Sequence, residues 1–207
     1  MTPTVACVVI AHAARRAHVE ARTLPSVRSE GFDEVVLVGD WEEGPMRRSM
    51  YAAQGIRYVH VDPIFRDVRD ALYKRDLGTL ATTADVLVYI NDDHALCSHF
   101  GLALRAVLNE PWDVLVPNRF TMRNNTRVPL NNGERDGYCG GHAAVVRRWV
   151  AERTPWLRYA YDSRWVTWDV VASLAEQMYG TRFVWSPRDE LAIEDLEPND
   201  PRHLIGA

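Results

Sequence analysis

The chain has 207 residues, 47% hydrophobic and 25% charged, with a formal net charge of -4, which is ample material for one globular core. No apolar segment is long enough to span a bilayer, and the N-terminus lacks the charged-then-apolar pattern of a secretory signal, so a cytoplasmic protein is expected. Cys7, Cys97 and Cys139 are scattered without C-x-x-C spacing, which argues against a disulfide framework and a zinc knuckle and for reduced core thiols.

Residues 5–10 are an unbroken run of strand formers and predict a first buried strand. It ends in Ala11 and His12, and a helical stretch follows from residue 13 to about 23. Pro25 interrupts that stretch, and Gly31 stops a short second piece. Residues 34–38 predict a second strand ending in Gly39, Asp40 and Trp41. Pro45 then opens a short helix that Gly55 closes, and residues 56–61 predict a third strand. Alternating strand and helix is the signature of a doubly wound sheet. No repeat, low-complexity tract or linker divides the chain. The turn after the first strand, Ala11-His12-Ala13-Ala14-Arg15-Arg16, is not glycine-rich, which disfavours a dinucleotide-binding enzyme and a sugar-phosphate nucleotidyltransferase.

The most informative stretch is residues 85–94, an apolar run that stops in Asn91, Asp92, Asp93 and His94. Its pattern fits a strand buried on both faces in the middle of a parallel sheet, and the polar cluster then lies at the strand's carboxyl end, where open α/β sheets bind ligands. Two carboxylates and an imidazole suit a divalent cation such as Mn²⁺ or Mg²⁺. The same residues also suit a turn or a helix cap. Lys74 is the only lysine; the excess of arginine reads as a bias of composition and is given no role.

Residues 72–93 carry a resemblance. Arg75-Asp76-Leu77-Gly78, a small-residue turn, an apolar strand and then Asn91-Asp92-Asp93 resemble the helix, strand and metal motif of GT-A-fold, family-2-like glycosyltransferases. Asp76 stands where the family usually has Asn, and Asn91 where many members have their first Asp, so the motif is read as Asp92-Asp93, with Asp92-Asp93-His94 as a D-x-H variant. The resemblance implies a single-domain GT-A-type α/β fold over 1–207, with a mostly parallel central sheet flanked by helices. A nucleotide-binding half (1–95), an acceptor half (96–186) and a C-terminal tail (187–207) are expected. It also implies a nucleotide diphosphate sugar as donor, held by Ala11, His12, Asp40, Arg75 and Asp92, with Asp93 on Mn²⁺ or Mg²⁺.

Residues 101–109 predict a helix and 113–117 a strand, whereas 118–137 read as a long polar, turn-rich loop. Gly140-Gly141-His142 then resembles the family's glycine-rich segment under the donor sugar; paired glycines let backbone approach a ligand. Thr167-Trp168-Asp169 resembles its Trp-Glu-Asp segment, which makes Asp169 the expected base for an inverting transfer, although a helix N-cap would suit it locally as well. After Gly180, residues 181–185 predict a last strand, and from Pro187 an acidic, proline-punctuated tail is expected to wrap irregularly over the domain. His203 in that tail lies where some family members supply a histidine to the metal or diphosphate. Between residues 118 and 165 arginines outnumber acids. The hydroxyl acceptor is therefore expected to be anionic, a phosphorylated lipid or sugar or modified DNA, or else those arginines pair with the acidic tail. Two other classes remain open: a nucleotidyltransferase of similar architecture, and a non-catalytic sugar-nucleotide-binding or scaffold protein.

Overall fold

A computed structural model describes residues 2–42, 44–64, 68–130, 144–155, 179–186 and 188–196. Among these, strands β1 (Val5–Ala11), β2 (Glu34–Gly39), β3 (Ile56–His60), β4 (Val86–Asn91), β6 (Val114–Val116), β9 (Ala144–Arg147) and β10 (Phe183–Trp185) form one sheet in the order β10-β6-β9-β4-β1-β2-β3. Only β9 runs antiparallel to its neighbours β4 and β6. The fold is therefore α/β with a mostly parallel central sheet flanked by helices, as expected.

Alternation along the strands explains the layers. Cys7, Val9, Val88 and Ile90 point to one face, where they meet Val19, Leu24 and Val27 and, from α5 (Phe100–Val107), Phe100 and Leu104. Val8, Ile10, Leu87 and Tyr89 point to the other, where they meet Leu72 of α4 (Val68–Leu80) and Val150 of α6 (Arg148–Arg153). A strand with helices on both faces must be apolar at every position, which is why β1 and β4 read as continuous hydrophobic runs. Cys7 and Cys97 are buried free thiols, as expected, and burial pushes the Cys7 pKa up; Cys139 lies outside the described residues.

Gly78 sets the closeness of α4 to the sheet. A β-carbon there would collide with the Val8 side chain and come within 3.3 Å of Val38, so only glycine lets the helix lie this close to β1 and β2. The helical segment 13–28 is continuous where Pro25 suggested a break. An α-turn α1 (Arg16–His18), a π-turn (Val19–Thr23) and α2 (Leu24–Arg28) follow one another, and Pro25 is the second residue of α2, directly after the π-turn. Helix α3 (Pro45–Ala53) runs from Pro45 toward Gly55, whose positive φ of 72° ends the turn.

Two expectations fail. The stretch 118–137 is not loop throughout: β7 (Asn118–Arg123) and β8 (Thr126–Pro129) form a hairpin whose two-residue turn, Asn124-Asn125, has positive φ at both positions, the geometry that matches strand twist. The described part of the tail, 188–196, is not an irregular wrap either. β11 (Ala192–Asp195) is an interior strand of a second sheet, β5-β11-β7-β8, in which β5 spans His94–Leu96. Leu191, Ala192 and Ile193 are buried, and that burial draws an otherwise acidic segment into the sheet. None of the described helices is long and apolar enough to cross a membrane.

Candidate active site

Parallel pairing puts the ends of three strands side by side. Ala11 lies opposite Gly39, and Ile10 opposite Asn91, so His12, Asp40 and Asp92 each leave the same edge of the sheet one residue or so later. Helix α4 comes over that edge and contributes Asp70, Lys74 and Arg75. β9 enters at the same edge, with Ala144 opposite Tyr89.

Two acidic clusters result. In the first, the Lys74 ammonium, wholly buried, lies 2.9 Å from Asp40 Oδ2, 2.7 Å from Asp70 Oδ2, 2.9 Å from His12 Nδ1 and 3.1 Å from the Ala11 carbonyl. His12, Asp40 and Asp70 have ligand atoms close enough together to hold a metal ion. Their shared centre, however, is already taken by the ammonium, which provides the cation from the chain itself. Asp40 Oδ1 also accepts the Ala13 N–H at 2.5 Å. Burial alone would raise the Asp40 pKa, but the Lys74 hydrogen bond and charge, the Ala13 N–H and His12 outweigh it and hold the carboxyl below its ordinary value. Tyr58 donates to the Trp41 carbonyl at 2.5 Å and its ring lies 5.5 Å from that of Trp41, which fixes the turn that carries Asp40.

The second cluster follows β4. Asp92 Oδ2 accepts the His12 N–H at 2.8 Å, and the Asp92 carbonyl accepts from the Thr23 hydroxyl of the π-turn at 3.2 Å. Asp93 Oδ1 lies 2.5 Å from Nδ1 of the buried His94, while the Asp93 carbonyl accepts the Leu196 N–H beyond β11 at 2.8 Å. Arg15 Nη1 sits between the two carboxylates, 3.0 Å from Asp93 Oδ2 and 3.5 Å from Asp92 Oδ1. Burial, with Asp93 adding like charge, raises the Asp92 pKa against the pull of the His12 N–H, His12 and Arg15. The Asp93 side chain is 26% exposed and that of Asp92 6%, so Asp93 is the more accessible of the two carboxylates.

Ala11, His12, Asp40, Arg75, Asp92 and Asp93 are thus brought to one edge. Arg75 faces inward: it is buried, donates to Asn91 Oδ1 at 3.1 Å and lies 5.9 Å from the centre of the Tyr89 ring. Gly140, Gly141, His142, Asp169 and His203 lie outside the described residues. The sequence reading missed Arg15, Asp70 and Lys74. The lone lysine four residues after an aspartate on the motif helix was the available signal. The arginine excess is partly internal: Arg119 pairs with Asp195 at 3.4 Å, Arg147 donates to the Trp112 carbonyl, and Arg148 donates to the Ala84 and Thr82 carbonyls.

Among solved structures, the chain is similar to the mannosyltransferase PcManGT from Pyrobaculum calidifontis in complex with GDP-Man and Mn²⁺. The TM-score is 0.65 at 14% identity, covering 97% of this chain and 59% of that one. It is also similar to TarS 1-349 from S. aureus, with a TM-score of 0.62 at 13% identity over 94% of this chain and 61% of that one. The fold is that of the GT-A glycosyltransferases. TarS 1-349 in complex with UDP-GlcNAc matches more locally, with a TM-score of 0.54 at 14% identity over 72% and 47% of the two chains. At these identities the likeness is one of fold, and the chain spans about three fifths of the length of the first two. No protein-family description and no curated protein matches the chain by sequence.

Proposed function

We propose that the chain is a metal-dependent glycosyltransferase that moves a sugar from a nucleotide diphosphate donor to a hydroxyl acceptor, with inversion at the anomeric carbon. The observation that carries this reading is the placement of Asp92 and Asp93 at the end of central strand β4, beside the ends of β1 and β2. The fold is shared with transferases solved with GDP-Man and Mn²⁺ and with UDP-GlcNAc. Asp93 would hold Mn²⁺ or Mg²⁺. Its hard carboxylate oxygen fits such an ion, and its contact with Arg15 marks a place where positive charge is already favourable. When bound, the ion neutralises charge that develops on the departing diphosphate.

The chain's own residues do the rest. Asp92, tied by the His12 N–H, keeps the metal motif against the end of β1. Ala11, His12 and Asp40 flank the space for base and ribose, while Arg75 orients Asn91 from behind. Asp169 would take the proton of the attacking hydroxyl, Gly140 and Gly141 would admit the donor sugar, His142 would touch the sugar or diphosphate, and His203 would add a ligand from the C-terminal segment. These roles follow from the resemblance; an anionic acceptor follows from the excess of arginines over acids between residues 118 and 165.

The test is a thermal-shift screen of GDP, UDP and ADP with and without Mn²⁺, followed by assay of the corresponding sugar nucleotides, since a ligand that binds only the native state raises its stability. One nucleotide should raise Tm only with Mn²⁺, and its sugar nucleotide should be consumed. Asp169→Asn should keep that shift but lose about 10²–10⁴-fold in turnover, the range for a general base. No shift with any nucleotide would sink the proposal.

A further inference from the structure

Arg15 occupies the spot that the metal reading needs. Its guanidinium is 3.0 Å from Asp93 Oδ2 and 3.5 Å from Asp92 Oδ1, while a dication on Asp93 would have to share the same carboxylate edge. We propose that Arg15 is a resident counter-cation of this pair, displaced by the metal only as a nucleoside diphosphate arrives to receive the guanidinium. Metal and nucleotide therefore bind together, and metal alone binds weakly. This rests on the metal and donor reading above and adds to it a linkage between the two ligands.

Three features support the exchange. Arg15 is at the end of the 3-10 turn Ala13–Arg15, and its side chain is 35% exposed, so its ion pairs are solvent-screened and cheap to break. A guanidinium fork matches phosphate oxygens as well as carboxylate, so the side chain has somewhere favourable to go. If Arg15 stayed while a dication bound, its guanidinium and the dication would be like-charged neighbours on the same two carboxylates, and a diphosphate is the chemistry that relieves this. By linkage, whatever the nucleotide adds to metal affinity the metal adds to nucleotide affinity.

The test is titration of Mn²⁺ followed by loss of its free-ion EPR signal, for wild type, Arg15→Ala, Arg15→Lys and Asp93→Asn, each alone and with GDP or UDP. Removing the arginine charge should tighten Mn²⁺ binding to the nucleotide-free protein about five- to twentyfold, given a unit charge a few ångströms away in a partly solvated site. It should also shrink the factor by which nucleotide tightens Mn²⁺. Arg15→Lys, which keeps the charge, should stay within about twofold of wild type in nucleotide-free affinity. Unchanged or weaker Mn²⁺ binding by Arg15→Ala, with binding lost in Asp93→Asn, would overturn this inference alone. Failure of every variant to bind Mn²⁺ with either nucleotide, or full binding by Asp93→Asn, would overturn the metal reading and this inference together.

Discussion

The two clusters at the sheet edge have the same composition and opposite characters. Each sets two aspartates around one cation of the chain: Asp40 and Asp70 around Lys74, Asp92 and Asp93 around Arg15. Lys74 is wholly buried, whereas Arg15 is a third exposed. A compact ammonium with four close partners in a dry site is fixed, because removing it leaves carboxylates without compensation. A guanidinium at the end of a partly solvated side chain is exchangeable. The proposed function follows this contrast: His12, Asp40 and Asp70 close around Lys74, and the looser pair beside them is where the proposed ion would enter.

The contrast is broken most directly at Lys74. Lys74→Met should lower unfolding free energy by about 3–5 kcal/mol, the range for stripping one partner from a buried ion pair, as read by urea denaturation. Arg15→Ala should change it by no more than about 1 kcal/mol, as for an exposed pair. Equal losses would erase the distinction.

Gly78 tests whether the joint depends on how closely α4 lies against the sheet. Gly78→Ala gains roughly 1 kcal/mol of helix propensity but overlaps Val8, which is anchored in the core of the sheet. Overpacking of this kind costs about 1–3 kcal/mol, so a net loss is expected in the same denaturation series. A more stable variant would show that the helix lifts freely.

The smallest effect is the pH dependence of the joint. Asp40 has a folded pKa below its ordinary value. Its contribution is therefore present above the unfolded carboxylate pKa of about 3.9 and is lost as pH falls through the lower folded value. Subtracting the acid titration of Asp40→Asn from that of wild type should leave a component that vanishes in this window; a difference constant from pH 7 to strong acid would contradict it.

Much of this was legible in the sequence because the physical signals are local. β1, β2 and β4 announce themselves as doubly buried strands, and Asp92-Asp93 stands out because carboxylates end an apolar run. Gly78 stood out only through the resemblance carried by Arg75-Asp76-Leu77-Gly78, and the structure supplies a reason, since a β-carbon there would collide with Val8. Lys74 was discounted as composition because, apart from Asp70 four residues before it, its partners come from two distant segments, the ends of β1 and β2. The β7–β8 hairpin was missed because Asn124-Asn125 was read as loop polarity and not as a positive-φ turn, and β11 because proline and acid on its flanks masked a short apolar core.

The most direct test of the central claim is the position of Mn²⁺ itself. Crystals grown with Mn²⁺ and the nucleoside diphosphate that raises Tm should show one manganese anomalous peak within coordination distance of Asp93, with Lys74 still between Asp40 and Asp70 and Arg15 moved from the carboxylates toward the diphosphate. A peak among His12, Asp40 and Asp70, with Lys74 displaced, would contradict it.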